Sequence, residues 1–98
     1  MADKKFHALA APSLALQDGG KEVLRAVIVD GGLHVSIVRG FERPDTWGLL
    51  LADVARHASR IYSRESGIAE DEALDRIVHM FQMEMEKPTD PGTTDTVQ

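Results

Sequence analysis

The hydrophobic pattern of the chain changes period partway along. From Glu22 to Gly40 strand formers dominate, EVLRAVIVD and LHVSIVRG on either side of a glycine pair. Strand formers flanking a two-residue Gly-Gly turn predict a β-hairpin, because the favoured hairpin turns need positive φ at their central residues. With Gly31 and Gly32 as the turn, Asp30 pairs with Leu33, Ile28 with Val35, Ala26 with Ile37 and Leu24 with Arg39. One face then carries Leu24, Ala26, Ile28, Leu33, Val35 and Ile37, apolar enough to be the core face. The other carries Val23, Arg25, Val27, Val29, His34, Ser36 and Val38. That face is half apolar, which points to a second covering layer or a subunit contact through Val27, Val29 and Val38.

After GFERPD the period becomes helical. Pro44 to Glu65, PDTWGLLLADVARHASRIYSRE, places Trp47, Leu50, Leu51, Val54, Ala58, Ile61 and Tyr62 in an arc roughly 120° wide, the stripe expected to face the core. A second line, Gly48, Ala52, Ala55 and Ser59, is small enough for another element to approach closely. Asp53, Arg56, Arg60 and Arg64 lie on the remaining side, with His57 at its border and Leu49 as an apolar exception that water or a partner must cover. Pro44 suits the first turn, Asp45 or Thr46 can cap it, and Gly67 can take the left-handed position that ends it.

A second amphipathic helix runs from about Ala69 or Glu70 to Lys87 and opens on Glu70, Asp71 and Glu72, charges suited to a helix N-terminus. Ala73, Leu74, Ile77, Val78, Met80, Phe81 and Met85 share an arc roughly 160° wide, whose breadth suggests two neighbours. Met83 falls outside that arc. Residues 1–19 read as a flexible arm, with a sharper alternative in which Leu14 and Leu16 form a short extended segment on a sheet edge. Residues 89–98 contain almost nothing to bury and read as a disordered tail, leaving 20–88 as one domain.

Composition narrows this picture. About 70 folding residues make a marginal core, and with no cysteine among the 98 residues a disulfide or a thiolate metal site is closed off. A second subunit is the simplest supplement. The formal net charge of -5 argues against general nucleic-acid binding. No apolar run reaches the ~18 residues of a membrane span. Lys4 and Lys5 before FHALAAPSLAL loosely mimic a signal peptide, but Asp3, His7 and Pro12 interrupt it, and a cytoplasmic location is expected.

Chemistry-bearing spacings are sparse. Asp53 with His57 and Asp75 with His79 stand at i, i+4, spacing that can orient an imidazole or share a metal, and that equally describes solvent-facing helix contacts. Neither HExxH nor a nucleophile elbow is present, and the glycine pairs are too short to cradle a phosphate. Arg56, Arg60 and Arg64 form a basic stripe most simply explained as a solvated face stabilising the end of its helix. Catalytic residues, metal ligands and cofactors are therefore not assigned.

The combination of VLRAVIVDGGLHVSI with WGLLLADVARHASRIY resembles a small family of bacterial, mostly proteobacterial, proteins of about this length, defined as a domain of unknown function. The matching positions include Leu24, Arg25, the GGLHVS segment and Trp47, Gly48, Leu50, Leu51, Ala52, Asp53, Arg56 and His57, within roughly residues 22–87. The resemblance implies a shared fold unit and no assigned activity.

The expected fold is α+β, a β-hairpin followed by two amphipathic helices packed on one face in the order ββαα, paired as a homodimer. The expected function is a non-enzymatic protein-interaction module using Val27, Val29, Val38, Leu49 and Met83, with a protein partner and with neither nucleic acid nor membrane. The alternative is a small-ligand, metal or hydrolytic site at the hairpin-to-helix junction, built from His34, Asp53, Arg56 and His57.

Overall fold

In the computed structural model, residues 5–94 are described. The first four residues of the expected arm, Lys4 included, and the last four of the expected tail lie outside that range. A short helix α1 (Ser13–Asp18) precedes strands β1 (Leu24–Val29) and β2 (Gly32–Ile37), which are followed by helices α2 (Asp45–Ser66) and α3 (Glu70–Glu86). The hairpin followed by two helices is the α+β, ββαα order that the pattern predicts. Contacts divide the chain into two compact units, one ending at Arg39 and the other beginning at Gly40.

In the first unit β1 and β2 pair antiparallel, with Leu24 opposite Ile37, Ala26 opposite Val35, Val27 opposite His34 and Ile28 opposite Leu33. The turn is therefore Asp30-Gly31, one residue earlier than expected. Asp30 has φ 50° and Gly31 φ 82°, the double positive φ of the favoured two-residue hairpin turn, which Asp-Gly satisfies as well as Gly-Gly. Gly32 is released to pair with Val29 in the ladder.

This displacement moves each cross-strand partner by two positions, so the two sets of side chains keep their faces. Their cover differs from expectation. The face expected to be the core leaves Ile28 77% and Leu33 69% exposed, with Val35 and Ile37 also exposed. On the other face Val23, Arg25 and Val27 are half-buried. There the Arg25 guanidinium lies 5.3 Å from the centre of the Phe6 ring and bonds Glu22 at 3.0–3.1 Å. A two-stranded hairpin decides which side chains share a face but supplies no layer to cover either one.

The sharper reading of the arm fails for a local reason. Leu14 and Leu16 lie in α1, not in an extended segment, and the carbonyl of Pro12 accepts bonds from the N–H groups of Ala15 and Leu16 at 3.0 and 3.2 Å. Leu, Ala and Gln are good helix formers once Pro12 has set the entry.

In the second unit α2 begins one residue beyond Pro44, with no side-chain cap; Asp45 pairs with Arg43 at 2.8 Å instead. Phe41 meets the Trp47 ring edge-on, centroids 5.3 Å apart. α2 ends at Gly67, whose φ of 73° is the left-handed value expected there. α3 then turns back along α2, opening on Glu70, Asp71 and Glu72.

The helices meet at small residues. Ser59 is 1% and Ala73 5% exposed, the two buried residues among those described. The close approach expected along the small line thus occurs near its Ser59 end, whereas a Cβ on Gly48 would touch nothing within 4 Å. The broad arc of α2 is not a buried stripe in the chain: Trp47, Leu50 and Ala58 are half-buried, while Leu51, Val54, Ile61 and Tyr62 are exposed. A pair of helices buries only the line between them, and here that line is the small residues.

Candidate functional site

Beside the buried Ser59 and Ala73 the helix pair forms an apolar groove. Tyr62 of α2, Ile68 of the connection and Ala73, Ile77, Met80 and Phe81 of α3 line it, with Arg76 and Glu84 as its charged members, around a volume of about 650 Å³. A smaller hollow of about 300 Å³ adjoins it through Tyr62, lined also by Ala58, Ile61, Glu65 and Ser66. The helical period creates the groove. Positions 73, 76, 77, 80, 81 and 84 recur at three- and four-residue steps and fall on one side of α3.

Both charges at the groove have defined surroundings. Both carboxylate oxygens of Glu84 accept bonds from Thr89, one from its hydroxyl at 2.5 Å and one from its N–H at 2.9 Å. The hydroxyl first, and then the N–H, hold this carboxyl below the ordinary glutamate value of 4.5. Arg76 makes no ion pair or hydrogen bond among the described residues, although Glu72 lies one turn before it. The groove therefore carries one anion hydrogen-bonded to a neutral threonine and one cation without an ionic partner among the described residues, on the same helix.

The residues singled out for ligand chemistry are distributed over both units. Asp53, Arg56 and His57 are exposed on α2 in the helical unit, and His34 is exposed on β2 in the hairpin unit. No bond joins Asp53 to His57. Instead Nδ1 of His57 lies 3.5 Å from a guanidinium nitrogen of Arg60, a long contact in which the arginine donates. Arg60 also reaches Glu70 at 3.7 Å, an exposed pair linking the two helices that contributes a fraction of a kcal/mol at most. Asp75 and His79 are likewise unbonded to one another, and no group of three or more His, Cys, Asp or Glu able to hold a metal occurs among the described residues.

Of the residues named for an interface, all but Val27 are exposed. Leu49 and Met83 are exposed at 68% and 51%, as their off-stripe positions require. Val29 and Val38 are exposed and Val27 is half-buried. The groove itself escaped the pattern, because Ile77, Met80 and Phe81 are read most simply as core. Its available signal was the i, i+4, i+8 series Arg76, Met80, Glu84, a cation and an anion flanking an apolar residue.

Residues 8–89 match a family model described as Domain of unknown function (DUF5076), and the chain belongs to that family. It is also similar to a solved structure from the photosynthetic bacterium Rhodopseudomonas palustrus CGA009, described as "a putative pyruvate dehydrogenase". The two are 49% identical over 100% of both chains, with a TM-score of 0.76. No curated protein matches the chain. Among the described residues no helix is long and apolar enough to cross a membrane.

Proposed function

We propose that this protein is a non-enzymatic, cytoplasmic homodimer that works as a protein-interaction module. The observation that carries this reading is the imbalance of burial. Among the described residues only Ser59 and Ala73 are buried, while Leu51, Val54, Ile61, Tyr62, Met80 and Phe81 of the helical unit are each more than two-fifths exposed. Amphipathic helices draw most of their stability from covering such stripes, so association stabilises both the contact and the helices that make it. Val29, Val38, Leu49 and Met83 extend the apolar surface to positions available to a further protein, and Val27 contributes less because its own unit half covers it.

The description of the Rhodopseudomonas protein brings no catalytic residue to this chain. The glycine pairs here are consumed by chain reversals, Gly19 ending α1 and Gly31 completing the hairpin turn. Light scattering of the full chain across a hundredfold concentration range tests the dimer. The expected mass is twice the 10.8 kDa of one chain, independent of concentration in the micromolar range. A mass of one chain throughout overturns the proposal.

A further inference from the structure

We infer that two copies of this chain pair through α3, antiparallel and crossing at Met80, so that Arg76 of each copy meets Glu84 of the partner subunit. This assignment rests on the homodimer reading and names its contact. Arg76, Met80 and Glu84 line one groove and stand at successive four-residue steps along the same side of α3. At a rise of 1.5 Å per residue the two charges lie about 6 Å to either side of Met80 along the axis.

A twofold contact requires a patch complementary to itself, each residue i meeting j while j meets i. A stripe reading cation, apolar, anion has that property when laid against its own reverse. Laid parallel, it sets like charge against like charge, which suppresses that arrangement. The charges are available for the exchange. Arg76 has no ionic partner among the described residues, and each oxygen of the Glu84 carboxylate retains acceptor capacity beyond its bond to Thr89. Ile77, Phe81 and Tyr62 supply the apolar body beside the stripe, which a copy of α3 would cover on both sides of the axis.

The stripe also selects among occupants. An acidic partner would meet Glu84 and a basic partner Arg76, each with one repulsive contact, whereas a second copy satisfies both charges twice. A flat apolar surface such as the exposed hairpin face offers no comparable instruction, because its side chains carry no charge to fix register or direction.

Charge reversal in the full chain tests the pairing. Arg76→Glu alone and Glu84→Arg alone each place two symmetry-related like-charge contacts in the interface and should weaken dimerisation about fivefold to tenfold. The combined Arg76→Glu/Glu84→Arg variant restores both contacts with their signs exchanged and should return to within about twofold of the wild type. Circular dichroism establishes that each variant keeps its helices.

A second measurement does not depend on charge. Because the chain has no cysteine, a Met80→Cys variant brings one thiol per copy to the proposed axis. Added diamide should oxidise the two thiols to a disulfide and give a covalent dimer, while an Asp75→Cys variant, on the opposite side of α3, should remain uncrosslinked. Single reversals without effect, a combined variant that fails to recover, or equal crosslinking from positions 75 and 80, in a chain that stays dimeric, overturn this contact and leave the dimer standing. A monomeric wild-type chain overturns both.

Discussion

Two small side chains govern how the long helices meet. Ser59 and Ala73 are the buried pair of the helical unit, and the Ser59 hydroxyl donates to the carbonyl of Arg56 at 2.7 Å, satisfying itself within its own helix. The space between the helices is therefore set by the absence of side-chain volume. Ala73→Leu should cost about 1–3 kcal/mol, because three added heavy atoms must push the helices apart or adopt poor rotamers. Ser59→Ala should cost no more than about 1 kcal/mol, since it removes a local hydroxyl bond and leaves the Arg56 carbonyl still able to accept along the helix. Urea unfolding followed by helix signal checks the order; an Ala73→Leu chain as stable as the wild type would mean that this contact is loose. The small line on α2 was legible from the spacing of Gly48, Ala52, Ala55 and Ser59. Which part of it was occupied was not, because a helical wheel records direction and not position along the axis, and Gly48 proves to stand in open space.

At the scale of elements, the hairpin shows how much a sequence pattern can settle and where it stops. Aspartate tolerates the left-handed region, so DGG offers two adjacent places to turn, Asp30-Gly31 and Gly31-Gly32. Both give the same inward and outward sets, since they differ by two in cross-strand partner, and alternation alone cannot choose between them. The observed turn makes a distinguishing prediction. Gly31→Ala places a Cβ at φ 82° and should destabilise the hairpin by about 1–2 kcal/mol. Gly32→Ala should be nearly neutral, because its Cβ would meet the Val29 carbonyl oxygen at 3.5 Å and His34 at 3.6 Å, ordinary contact distances, in a strand conformation. The turn at Gly31-Gly32 would instead make both substitutions costly. Amide exchange of the β1 and β2 ladder measures the difference. The helices were read more completely than the hairpin turn, their ends falling within a residue or two of those the caps and charges indicate, because Gly67 and the Glu70, Asp71, Glu72 run act locally and need no partner to be recognised.

For the whole molecule, the pattern identifies apolar faces but not what covers them. Periodicity marks the arc of Leu51, Val54, Ile61 and Tyr62 as a surface that should leave water, and it assigns that surface to the interior of one chain by default. The same arc is equally consistent with burial between chains, and these residues, exposed together with Met80 and Phe81, are the surface that the proposed dimer would cover. If folding and association are coupled in this way, stability depends on mass action, since the folded dimer and two unfolded chains differ in particle number. A tenfold rise in concentration should then raise the melting temperature by about 4 °C, taking the unfolding entropy of two chains of this size. Differential scanning calorimetry at roughly 5, 50 and 500 µM, a span of about two decades in the mass-action term, would show this drift. The combined Arg76→Glu/Glu84→Arg variant should show the same drift at nearly the same temperatures, and each single reversal should melt lower at every concentration. A melting temperature fixed across the whole range would mean that the chain completes its own fold, and that the exposed arc contributes nothing to holding it together.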